Sequence, residues 1–184
     1  MSRKKEILAR RLGKTVSVSP LRFKLKRLAA QFPVAQAEGL EDWLIDLANA
    51  RGARIVIRDL DGQHDAPLPN DQIVTNEELV VGLCQLQSLD RPQILRLAAQ
   101  LISRGAVRFQ RLKHLAEQER IGCILAELAI QALRVDPTHL LWRSIQEAFQ
   151  HERPLKERLL HWTRLAEPVM QHGRCNAERW RLVA

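Results

Sequence analysis

The strongest constraint on this chain is a period. From Thr75 onward apolar residues recur three and four apart, and most runs are bounded by residues that start or stop helices. Thr75-x-x-Glu78 is a capping box, in which each side chain satisfies a backbone N–H that a helix start leaves free. Leu79, Leu83 and Leu86 follow it. Asp90 is placed to cap a second run, with Ile94, Leu97, Leu101 and Ile102 inward and Gly105 at its end. Phe109, Leu112, Leu115 and Ala116 mark a third. Ile121 to Leu133 is apolar apart from Gly122, Glu127 and Gln131, and is expected to be a central helix buried on most faces. Asp136-Pro137 should end it and cap the next, where Leu140, Leu141, Ile145 and Phe149 align. Pro154 opens a last helix with Leu155, Leu159, Trp162 and Leu165, which Pro168 should kink or end. Starts about every 13–17 residues suit antiparallel helical hairpins.

The N-terminal third is less uniform. Ile7, Leu8 and Leu12 fall near one face of a short helix that Gly13 stops, and Thr15 to Ser19 alternates like a brief strand. Ser19-Pro20 is a helix start, with Ser as cap and Pro in the first turn. Leu21, Leu25, Leu28 and Phe32 then form one apolar stripe, and Arg22, Lys24, Lys26 and Arg27 fall largely off it. A further helix after Gly39 and Asp42 should turn Trp43, Leu44, Leu47 and Ala48 inward and end at Gly52. Arg54-Ile-Val-Ile-Arg58 is the best strand candidate, with Asp61-Gly62 as its turn. Pro67 and Pro69 mark 63–73 as a loop and a boundary. The expected fold class is therefore mostly α. A helical bundle or α-hairpin array, residues 74–172, joins a small basic N-terminal module, residues 1–62, with room for a short β-hairpin. A tail, residues 173–184, carries Trp180 and no clear period.

Two short stretches carry resemblances. Ala132-Leu-Arg-Val-Asp-Pro137 is similar to the end of a tetratricopeptide repeat over about half a repeat, with Lys113 where that repeat has a small residue. What it implies is a helix terminus. Trp43 to Ala50, then Arg51-Gly52, Ile55-Val-Ile57 and Asp61-Gly62, resembles the passage from recognition helix to wing in winged-helix proteins, over about 20 residues. That resemblance implies a DNA-reading helix beside a hairpin. Glu41, Asp42 and Asp46 on the helix would repel phosphates, so the contacts would pass to the basic helix at 20–32.

Charge is banded. The net +8 divides into +9 over residues 1–31, where ten Lys and Arg face Glu6 alone, −8 over residues 38–90, and +7 over residues 91–184. A polyanion would meet the first band or the last. The competing reading pairs the first band with the acidic middle of the same chain. No run of about 18 apolar residues exists, and no apolar stretch follows the charged start, so neither a membrane span nor a secretory signal is expected. Cys84, Cys123 and Cys175 are far apart and odd in number, which suits a reducing, cytoplasmic compartment.

Candidate chemistry is sparse. Asp59-Leu-Asp61-Gly-Gln-His-Asp65 places Gly62 at position 4 of a calcium loop that needs it at 6, and Asn70 where the bidentate Glu belongs. His172 and Cys175 offer two zinc ligands where a structural site needs four. No phosphate-cradling glycine loop is spelled, and Glu77 and Glu78 are explained by the helix start they occupy. No cofactor, metal or catalytic residue is expected. The expected function is a non-enzymatic binding protein that contacts the nucleic-acid backbone through Lys4, Lys5, Arg10, Arg11, Arg22, Lys24, Lys26 and Arg27. The alternative is a protein–protein adaptor or complex subunit that docks on an acidic partner. Phe23 is the only aromatic in residues 1–31, so the expected nucleic-acid contact is to phosphates, without a base-stacking platform.

Overall fold

The computed structural model describes residues 19–32, 39–53, 72–85 and 92–152. Among them are seven helices and no strand: α1 (Pro20–Ala29), α2 (Leu40–Ala50), α3 (Asn76–Gln85), α4 (Pro92–Ser103), α5 (Phe109–Gln118), α6 (Gly122–Val135) and α7 (Leu140–Ala148). The protein is mostly helical. The strand candidates at 15–18 and 54–58, the helix opened by Pro154, the tail, and most of the 63–73 boundary lie outside the described residues.

The local signals act at the ends of the helices. Ser19 Oγ accepts the Arg22 N–H at 2.9 Å, with Pro20 next in the first turn of α1. Thr75 and Glu78 complete the capping box at α3: Thr75 Oγ1 accepts the Glu78 N–H at 3.3 Å, and Glu78 Oε2 accepts the Thr75 N–H at 3.1 Å. Gly52 follows the α2 C-cap with φ +94°, in the left-handed region that L side chains avoid. Arg51, the cap itself, reaches across the fold, donating to Asn76 Oδ1 at 2.8 Å and to the Val74 carbonyl.

The buried side chains form one core that runs from Leu21 to Phe149. Its hub is α3, which packs against α1, α2, α4 and α5. Every residue from Glu77 to Cys84 is buried. Gly82 makes this possible. A β-carbon there would lie 2.7 Å from Leu25 Cδ1 and 3.6 Å from Leu44 Cδ1, so the missing side chain is the space that α1 and α2 occupy. Phe32 and Trp43 close the α1–α2 side with ring centroids 5.6 Å apart.

Three sequence expectations change here. The apolar stretch 121–133 is buried on most faces, as expected, with Ile130 exposed, but it is not the hub: α6 packs on α5 and α7. In α3 the two acids, Glu77 and Glu78, are buried with partners, which composition does not reveal. Asp136 ends α6 but does not cap α7. Its Oδ1 accepts from the Thr138 N–H at 3.1 Å and hydroxyl at 2.7 Å, and His139 Nδ1 takes the Trp142 N–H at 3.4 Å instead. The inward stripe of α7 is Trp142, Ile145 and Phe149, while Leu140 is 77% exposed. Trp142 wins that place because its indole N–H finds Ser103 Oγ at 2.9 Å, so a large apolar ring can be buried with its one donor satisfied.

Candidate nucleic-acid interface

The site begins with how α1 is held. Leu21, Leu25 and Ala29 face the core. Burying the two leucines contributes about 3–6 kcal/mol. Its N-terminal end is clamped from outside. Glu119, at the end of α5, accepts the Leu21 N–H through Oε1 at 2.9 Å. Gln85, at the end of α3, donates through Nε2 to Glu119 Oε2 at 2.6 Å and to Ser19 Oγ at 3.0 Å. A carboxylate at a helix N-terminus is favoured by the helix dipole, and here it fastens α1 to two other helices. The outer face of α1 is therefore carried on a fixed support.

That outer face follows from the helical period. At about 100° per residue, Lys26, Ala30, Phe23 and Arg27 lie roughly 140°, 180°, 200° and 240° from Leu21, with Arg22 at about 100°. All five are exposed, and Phe23 reaches 62%. Lys24 and Leu25 lie to the other side.

Lys24 is exposed too, but it is paired. Its Nζ lies 2.8 Å from Glu78 Oε1 and 2.9 Å from Oε2. The neighbouring Glu77 is also engaged: Oε1 accepts the Arg108 N–H at 2.7 Å, and Arg111 Nε lies 3.9 Å from Oε2. These two acids are buried, and each has a cation beside it. Among the described residues, the acidic middle of the chain takes Lys24 through Glu78, and Arg22, Lys26 and Arg27 are exposed on α1. No protein-family model, curated protein or solved structure matches the chain.

Of the eight residues expected to bind, Arg22, Lys26 and Arg27 are brought together on the exposed face of α1, and Lys24 is committed to Glu78. Lys4, Lys5, Arg10 and Arg11 lie outside the described residues. The sequence reading did not place Phe23 on this face. The signal was available, since Phe23 is two residues from Leu21 and so points away from the apolar stripe.

Two other reactive groups, Cys84 and His139, are occupied structurally. Cys84 is fully buried, and burial pushes its thiol up to about 12, which holds it in the unreactive protonated form. His139 caps α7, with its Nε2 3.2 Å from the Ser103 carbonyl. Among the described residues no three His, Cys, Asp or Glu side chains group closely enough to hold a metal, and no helix is long and apolar enough to cross a membrane.

Proposed function

We propose that this protein is a non-enzymatic nucleic-acid-binding protein that contacts backbone phosphates through the outer face of α1. The observation that carries the reading is the joint exposure of Arg22, Lys26 and Arg27 on a helix whose opposite side is buried and whose end is clamped by Glu119. Three cations on neighbouring turns can neutralise phosphates along a strand and release their counterions. The proposal keeps the finer architecture expected from the sequence, a helical hairpin array carrying a small basic N-terminal module, and a cytoplasmic setting where nucleic acid is at hand. It departs from the sequence expectation at Lys24, whose charge is already paired.

The test is binding to labelled duplex DNA over a salt series. Replacing Arg22, Lys26 and Arg27 together by Gln should weaken binding at low salt. It should also flatten the log–log salt slope by up to about 2.7, since each phosphate contact contributes about 0.9. Lys24→Gln should leave the slope nearly as it was. A wild-type chain that binds neither DNA nor RNA at about 50 mM salt, where phosphate contacts are strong, would remove the proposal. An acidic protein partner for the same face would then take its place.

A further inference from the structure

We infer that the α1 face takes single-stranded nucleic acid, with one unpaired base stacked on the exposed ring of Phe23 between phosphates held by Lys26 and Arg27. This rests on the phosphate-binding reading above and narrows its substrate class. A lone exposed aromatic is ordinary on a protein surface; the position of this one gives it meaning. Lys26 and Arg27 stand three and four residues after it, where side chains on a helix have Cβ atoms about 5–6 Å apart. The ring therefore lies beside both cations on one face and is 62% exposed. Ala30, one turn further and also exposed, adds only a methyl group to that face.

The pattern discriminates between ligands. Read at i, i+3, i+4 and i+7, the face is Phe23, Lys26, Arg27 and Ala30. A helix that docks in an apolar protein groove presents apolar anchors at most of those positions. This one presents a single large anchor and two cations. Duplex DNA satisfies the cations but hides its base faces inside the stack, so the ring has nothing to cover. A single strand supplies phosphates and a free π-face together, the combination used by proteins that bind single strands without sequence preference.

Fluorescence anisotropy of the full chain with a labelled single-stranded oligonucleotide and with the matching duplex, each over a salt series, tests this. Phe23→Ala should weaken single-strand binding by about 5- to 150-fold, the range for loss of one aromatic–base stack, and leave duplex binding nearly unchanged. The single-strand salt slope should not move, because no charge is removed. Phe23→Trp should retain or tighten single-strand binding. The melting temperature of both variants should match the wild type, since Phe23 is outside the core. Three results overturn the inference. Single-strand and duplex binding could fall equally in Phe23→Ala. Phe23→Ala could bind single strands as the wild type does, while Gln at Arg22, Lys26 and Arg27 weakens binding; the phosphate reading would then stand without stacking. The wild type could bind neither nucleic acid yet hold an acidic polypeptide in a Phe23-dependent way; both readings would then fall, and the face would belong to a protein partner.

Discussion

Lys24 Nζ lies 2.8 Å from Glu78 Oε1, across 54 positions of sequence, and joins α1 to the capped start of α3. The pair has two jobs that substitution separates. Gln at position 78 can still cap α3 but carries no charge for Lys24. Because the Lys24 side chain is 44% exposed, solvent screens the pair, so Glu78→Gln should cost less than about 1 kcal/mol. Glu78→Ala also strips the cap from the Thr75 N–H and should cost about 1–3 kcal/mol. Urea titration of the two variants reads the difference. Equal losses would mean that the charge, not the cap, holds this corner. The weakness of the pair beside the burial of Leu21 and Leu25 also predicts that Lys24→Gln stays folded, with α1 in place.

Gly82 sits where helix propensity and packing oppose each other. Ala in place of Gly in a helix ordinarily gains about 1 kcal/mol. Here the added β-carbon would lie 2.7 Å from Leu25 Cδ1, inside the core. Overpacking costs about 1–3 kcal/mol, so packing should win and Gly82→Ala should destabilise by up to about 2 kcal/mol. A second change, Leu25→Val, removes the opposing methyl. The double variant should be more stable than the sum of the single losses implies, a coupling that a denaturant double-mutant cycle would measure. Additive losses would place the strain elsewhere.

Cys84 predicts a pH dependence. Its ordinary value is 9.0, and burial raises it in the folded chain to about 12. Between those values the unfolded chain has lost the thiol proton and the folded chain keeps it. The contribution to stability is therefore whole below about pH 9 and is lost as pH rises toward about 12. From about pH 8 to about pH 10 the wild type should lose about 1.4 kcal/mol more than Cys84→Ala loses over the same interval. Parallel urea titrations at the two pH values test this. Equal losses would show that the thiol ionises as easily in the fold as in the unfolded chain.

The sequence by itself determined the features that one turn of chain can satisfy. Ser19-Pro20 starts α1, Thr75 and Glu78 cap α3, Gly52 leaves α2 with positive φ, and the stripes of α1, α2 and α4 point Leu21, Leu25, Trp43, Leu47, Leu97 and Leu101 inward. Each is a contest among neighbours in sequence, so residue types and spacing decide it. Only the tertiary structure decided which helix is the hub, which residue of α7 is buried and which cation of α1 is committed. Composition favoured residues 121–133 for the centre, but the space left by Gly82 and the partners of Glu77 and Glu78 put α3 there. Spacing favoured Leu140, but Ser103, 39 residues from Trp142, supplied the acceptor that let the indole go in. The paired cation is Lys24 rather than Arg22, Lys26 or Arg27, because packing of α1 against α3 sets Lys24, itself partly exposed, beside Glu78. Local patterns fix what each helix can bury. The pairing of distant polar groups depends on how helices approach one another, and that approach is set by side-chain volume in the core.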